Sequence, residues 1–165
     1  MVLSPIAMRW FLVDRVTEFV PGERARGVKG VTLTEGVLHD HFPEHPLFPG
    51  VLIIEALAQL AGFLLEVSTN RRDAPLRRAV LVSIDRARFH APVWAGDLLD
   101  LRVAAAQVMD AAARVDAEAW VGTERAAQAS LTFMLRAIDS EAVHAQRRAL
   151  YQVWTRTLDP RPELL

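Results

Sequence analysis

The hydrophobic pattern of this chain changes period more than once, and each change predicts an element. From Arg9 to Glu18, β-branched and aromatic residues crowd together ahead of a Val20-Pro21-Gly22-Glu23 turn signal. Arg24–Thr32 then alternates as the return strand of a hairpin would. Leu33–Pro49 contains three prolines and three histidines; it is too broken for a helix and too polar for a central strand. Gly50 opens a helix running to about Thr69, with Pro49 just ahead of it and strong helix formers from Leu52 to Ala61. After an arginine-rich loop, Asn70 to Arg78, the period falls to two. Ala79–Pro92, Asp97–Met109, Ala113–Val121 and Arg125–Ile138 read as four strands, divided by turns at Trp94-Ala95-Gly96-Asp97, Met109-Asp110 and Gly122-Thr123-Glu124. Ser140–Thr157 reads as an amphipathic helix with Val143, Leu150, Val153 and Trp154 roughly on one face.

Two strands, a long apolar helix and four more strands must share one core, because an antiparallel sheet needs its apolar face covered. The central helix is apolar nearly all round and so must be wrapped. A curved antiparallel sheet around one helix is the economical solution, an α+β fold. At 165 residues the chain suits one domain. We place that domain at residues 1–138, followed by a helical extension at 139–165.

Composition narrows the function classes. Hydrophobic residues make up 52% and charged residues 24%, and the net charge is −1, so no global basic field invites nucleic acid. Cysteine is absent, which removes disulfides, thiolate catalysis and Cys-based zinc sites and is compatible with a reducing cytoplasm. Arg9, Asp14 and Arg15 interrupt the apolar amino end, so no signal peptide is read there. The run Val51–Leu65 is broken by Glu55 and Gln59 and falls short of a membrane span. A soluble, cytoplasmic protein is expected.

Those two polar residues are the first candidate chemistry. Their i, i+4 spacing puts them on one helix face. A carboxylate on an otherwise greasy helix costs several kcal/mol if ionised and unpaired. It must find a cation, keep its proton or face a wet pocket, and the last two suit a general acid. A purely structural bridge to backbone or to another subunit fits the spacing equally well. The second candidate is the stretch from His39 to Gly50, whose prolines stiffen it as it enters the amino end of the helix. There the free N–H groups of Gly50 and Val51 and the helix dipole favour negative charge. A base, an acid and an oxyanion cradle are the parts of a proton-transfer site. Histidines on a surface loop that only hydrogen-bond are the plainer alternative.

The ordered string His41-Phe42-Pro43-x-x-Pro46-x-x-Pro49-Gly50-Val51-Leu52-x-x-Glu55-Ala56-x-Ala58-Gln59 closely resembles the signature of the FabZ-type 3-hydroxyacyl-(acyl carrier protein) dehydratases. Phe11-Leu12-Val13-Asp14-Arg15-Val16 resembles the family's first strand. Ile84-Asp85-Arg86-Ala87-Arg88-Phe89 and Pro92-Val93-Trp94-Ala95-Gly96-Asp97-Leu98 resemble a later strand and turn. The resemblance covers about Met8 to Ile138. It implies a hotdog fold and an obligate homodimer with each active site at the subunit interface. His41 of one protomer and Glu55 of the other would be the acid–base pair. Backbone N–H at Gly50 and Val51 would hold the thioester oxygen, and Gln59 would be a neighbour supporting the acid. The resemblance implies no cofactor and no metal. It implies acyl carrier protein as the partner that brings the 3-hydroxyacyl-phosphopantetheine substrate.

Asp40 stands where the family usually has glycine, Ala95 replaces a usual proline, and the tail after Ile138 runs beyond the usual end. Glutamate at position 55 favours the dehydratases over the related dehydratase/isomerases, which typically carry aspartate there. Phe63, Phe89 and Trp94 are candidate walls of an acyl tunnel. An acidic carrier needs a locally basic surface, so Arg86 and Arg88 are candidate docking residues, with Arg71, Arg72, Arg77 and Arg78 as a second group. Three rivals remain. His39, His41 and His45 with Asp40 could be imagined as ligands of a metal-dependent hydrolase, although their spacing fits no template. A hotdog subunit that binds acyl chains or carrier without turnover is the second. An acyl thioesterase is the third.

Overall fold

The computed structural model describes residues 10–165. The chain forms β1 (Arg15–Val20), β2 (Arg24–Gly30), a one-turn α1 (Val37–Asp40), α2 (Gly50–Thr69), β3 (Arg77–Phe89), β4 (Leu98–Val108), β5 (Ala112–Val121), β6 (Glu124–Ala137) and α3 (Glu141–Trp154). The six strands make one antiparallel sheet in the order β1-β2-β4-β5-β6-β3. The link through α1 and α2 therefore carries the chain from one side of the sheet to its far edge, laying α2 along the inner face. This is the hotdog arrangement, a curved sheet around one helix.

Small inward residues let the helix nest closely. Ala25, Ala117, Ala119 and Ala127 are fully or almost fully buried, and so are Leu57, Leu60, Phe63 and Leu64 of α2. Burying each such leucine or phenylalanine contributes about 1.5–3 kcal/mol. By length and composition the whole of α2 could cross a membrane, with 20 residues and a mean hydropathy of 1.8, which the shorter Val51–Leu65 run could not. Two thirds of that helical window is buried inside the protein, so α2 is a core helix.

The sequence reading needs three corrections. The first strand begins at Arg15, not near Arg9, and Arg9 lies outside the described residues. Trp10 and Leu12 give their backbone groups to a side chain instead of a neighbouring strand: Gln59 Nε2 donates to the Trp10 carbonyl (2.7 Å), and the Leu12 N–H donates to Gln59 Oε1 (2.9 Å). The segment 33–49 holds a short helix after all, pinned by the buried Leu38. β3 stops at Phe89, before Pro92. The turn before β4 forms as expected, with Gly96 at φ +101° and Trp94 N–H donating to Asp97 Oδ2 at 2.7 Å; only glycine adopts that backbone cheaply.

α3 begins at Ser140, whose hydroxyl accepts the Val143 N–H. It lies over the carboxyl half of α2, with Tyr151 and Trp154 packed edge-on against Phe63 at ring separations of 5.1 and 6.3 Å. The extension thus shares the core of the preceding strands.

Candidate active site

α1 ends at His41, and the prolines that follow turn the chain back so that Leu47 bridges to Trp94 and the Phe48 N–H bonds to Val93. His41 Nδ1 lies 2.9 Å from the Leu47 carbonyl oxygen. A carbonyl only accepts, so Nδ1 carries the hydrogen, and in the neutral ring Nε2 is the nitrogen with the lone pair. The ring stacks on Phe42 at 4.3 Å. His41, Leu47, Gly50, Val51, Phe89 and His90 help line a cavity of about 450 Å³. Pro49 occupies the cap position of α2 and offers no side-chain acceptor. Among the described residues the N–H groups of Gly50 and Val51 find no acceptor, so the amino end of the helix retains its capacity to bind negative charge.

Glu55 is half-buried, one turn and a half further along α2. Its Oε1 accepts from Gln59 Nε2 at 2.9 Å. The Gln59 amide is fully oriented: its oxygen takes the Leu12 N–H, and its nitrogen serves both Trp10 and Glu55. Glu55 Oε2 is left without a partner among the described residues. Within one protomer Glu55 does not border the His41 cavity. The chain therefore brings His41, Gly50, Val51 and Phe89 together, and sets Glu55 with Gln59 apart from them.

The other predicted residues divide. Phe63 lies away from that cavity, buried in the aromatic cluster of Phe19, Tyr151 and Trp154. Trp94 is partly exposed and does not line the cavity, although its chain neighbour Val93 and its bridge partner Leu47 do. Among the described residues no three His, Asp or Glu side chains converge as metal ligands would, and Asp40 is exposed. Of the arginines, Arg72 pairs with Glu163, Arg77 with Asp110, and Arg78 with Glu66, while Arg71 bonds to the Ser68 and Asn70 carbonyls. Arg86 and Arg88 are exposed and make no ion pair among the described residues.

Two features escaped the sequence reading. His90 shares the cavity with His41; a polar side chain next to Phe89 at the end of a strand was the available signal. Glu66, just past the Val51–Leu65 window, is the deeply buried carboxylate of α2, 2% exposed. Its Oε1 accepts the Ala79 N–H, and its Oε2 accepts from Arg78 Nη1 and the Tyr151 hydroxyl at 3.2 and 2.8 Å. Burial foremost, and then the Glu66 carboxylate, push the Tyr151 phenol well above its ordinary value. Arg78 Nη2 donates to His144 Nδ1 (2.8 Å), and His144 Nε2 bonds to the Ile138 carbonyl (2.8 Å).

Comparison with known proteins identifies the family and the fold. The family model described as a FabA-like domain matches residues 5–130. The chain is 40% identical over 134 residues to the 3-hydroxyacyl-(acyl-carrier-protein) dehydratase FabZ of Clostridioides difficile (strain 630), covering 81% of this chain and 92% of that protein. It is 37% identical to the FabZ of Myxococcus xanthus (strain DK1622), covering 89% and 94%. Among solved structures, the dehydratase heterocomplex ApeI:P from Xenorhabdus doucetiae matches with a TM-score of 0.65 at 15% identity, covering 86% of this chain and 93% of that one. The smu.793 protein of Streptococcus mutans UA159, bound to acetyl CoA, matches with a TM-score of 0.60 at 16% identity, covering 76% and 90%. At those identities the structures speak to the fold alone.

Proposed function

The chain belongs to the FabA-like domain family, and on that premise we propose that it dehydrates 3-hydroxyacyl thioesters carried on acyl carrier protein, with His41 and Glu55 as its acid–base pair. It is a carbon–oxygen lyase of fatty-acid or related acyl-chain synthesis. The observation that carries the site assignment is the His41–Leu47 hydrogen bond, which leaves Nε2 as the free base in a cavity at the amino end of α2. His41 Nε2 takes the proton from C2 of the substrate. The electrons form the C2–C3 double bond, and the 3-hydroxyl departs as water with the proton of Glu55. The N–H groups of Gly50 and Val51 hold the charge that gathers on the thioester oxygen between these events. Gln59 engages Glu55 Oε1, so Oε2 is the atom that delivers the proton. A return of the proton from His41 to Glu55 resets the site.

Catalysis then needs two protomers, with Glu55 meeting the histidine of its partner. The edge strand β3 supports this reading. It is 13 residues long, has no neighbour on its outer side among the described residues and exposes Val80, Val82 and Ile84. A long apolar edge of that kind calls for a cover, and a second copy of β3 would supply one. Residues 1–138 act as the dehydratase domain, and 139–165 buttress it. Arg86 and Arg88 receive the acidic carrier, since the arginines at 71–78 are committed within the chain. Phe89 forms part of the acyl path; Trp94 and Phe63 stand further back. The protein works in the cytoplasm, beside its carrier.

Incubation of the purified protein with a 3-hydroxyacyl-loaded carrier tests the function. Enoyl product, followed by absorbance and mass, is the expected result. Free acid would make the protein a thioesterase, and unchanged substrate a binding module; either outcome would overturn the reading. A panel of acyl lengths then assigns the preferred substrate.

A further inference from the structure

We propose that Phe89 is a positioning residue that roofs the amino end of α2, and that residue 50 is glycine because this ring fills the space a Cβ would need. The inference rests on the dehydratase reading and deepens it. A Cβ built on Gly50 would lie 2.7, 2.9 and 3.0 Å from Cε1, Cδ1 and Cζ of Phe89. The ring therefore rests directly on the Gly50 backbone. Gly62, in the same helix, is a useful contrast: a Cβ there would meet only Ala79 Cβ, at an ordinary 3.9 Å. Alanine is the better helix former at both sites, but only at position 50 would it require a neighbouring ring to move.

β3 is shaped to deliver this ring. Its pairing with β6 shifts between Asp85 and Arg88, where Arg86 has φ +54°, and the ladder resumes with Phe89 opposite Ala127. Ala127 is fully buried on the inner face of the sheet. Without that extra residue the parity of the strand would turn Phe89 to the outer face. The His90 N–H, bonded to the Ala126 carbonyl at 2.8 Å, then anchors the end of the strand.

The chemical consequence follows from what lies beneath the ring. The N–H groups of Gly50 and Val51 are the donors assigned to the thioester oxygen. The ring is 53% exposed in the single protomer, yet it lies against Gly50 in the cavity that His41 also lines, so it limits water on that side of the adjoining N–H groups. Donors screened from water stabilise a developing anion more strongly. Phe89 thus acts through the donors and takes no proton itself.

A four-member cycle of wild type, Phe89→Ala, Gly50→Ala and the double variant tests this, read by steady-state kinetics and by thermal unfolding. Phe89→Ala should lower kcat about tenfold while KM moves less than about threefold, the pattern of a lost transition-state interaction. Phe89→Leu, which keeps an apolar cover, should lose less. In Gly50→Ala the new methyl evicts the ring, so the double variant should be no slower than the slower single one. Gly50→Ala should raise Tm in the Phe89→Ala background and fail to do so in the wild type. Multiplicative losses in kcat, a loss confined to KM, or the same rise in Tm in both backgrounds would each overturn the proposal. If the wild-type protein forms no enoyl product, the dehydratase reading fails, while the two Tm comparisons still decide whether ring and glycine are matched.

Discussion

Glu55 and Glu66 stand about three turns apart on nearly the same face of α2, yet their surroundings are opposites. Glu66 has both oxygens engaged, by Ala79, Arg78 and Tyr151, and Arg78 in turn is tied to His144. Four elements are joined there: α2, β3, α3 and the turn at Ile138. Glu55 has one oxygen held by Gln59 and one left open, on a half-buried surface. The amino end of the helix follows the same logic, with N–H groups that have no acceptor and a histidine whose Nε2 has no partner among the described residues. Among the described residues only Arg78 Nε is left without a partner in the Glu66 cluster. A polar network whose carboxylate oxygens are both engaged stiffens a fold and leaves that carboxylate little capacity for a substrate. Incomplete satisfaction, at a place that substrate can reach, leaves groups able to react. In the proposed mechanism the two ends of one helix thus divide the work: the carboxyl end holds the frame and the amino end carries the chemistry.

Substitutions at the two ends should separate activity from stability. The largest effects belong to the amino end. His41→Ala and Glu55→Gln should each lower kcat by about 10²–10⁴-fold while Tm stays close to wild type. The amide oxygen introduced at position 55 can still accept the bond from Gln59, so only the acid is lost. Retained turnover in either variant, measured as enoyl formed per second, would remove that residue from the acid–base pair.

At the carboxyl end the order of effects reverses. Glu66→Ala strands Arg78, which is 6% exposed, and removes an acceptor from Tyr151. The expected loss is about 3–5 kcal/mol of stability by denaturant titration. The fraction that remains folded should keep a kcat much nearer the wild-type value than Glu55→Gln does.

Reversing the charge of Arg86 and Arg88 together sharpens the comparison at the surface. KM for carrier-linked substrate should rise on the order of tenfold, with little change for a short thioester analogue. An equal effect on both substrates would remove these arginines from carrier docking.

The smallest effect concerns pH. Burial and Glu66 raise the Tyr151 phenol in the folded chain above its unfolded value near 10. The neutral phenol therefore stabilises the fold fully below about pH 10, and that contribution falls as pH climbs above it. Tyr151→Phe should cost roughly 1 kcal/mol at neutral pH. Above pH 10 the gap between variant and wild type should narrow, as seen in Tm measured across that range.

The period of the hydrophobic pattern locates the long helix, four of the strands to within a few residues, and the turns at Val20–Glu23 and Trp94–Asp97. Alternation and turn chemistry act over neighbouring residues, so they are written locally. The pattern misplaces the start of the first strand because Trp10 and Leu12 bond to Gln59, a side chain far along the chain, and no local pattern records such a partner. Phe63 reads as a tunnel wall because its apolar character alone does not say which side of α2 it serves; α3 claims it for the core.

The site divides in the same way. Spacing made Glu55 and Gln59 candidates and placed a histidine-bearing loop at the free N–H groups of Gly50 and Val51. The choice of His41 among the loop histidines came from the resemblance to the FabZ-type signature. Which nitrogen of His41 is free, which carboxylate of α2 is truly buried, and which ring lies over Gly50 were decided only by the tertiary structure. Each depends on the Leu47 carbonyl, on Arg78 and Tyr151, or on the shifted register of β3. Hydrogen bonds and steric contact act through space over a few ångströms, and the residues that meet there are joined by loops whose path no periodicity describes.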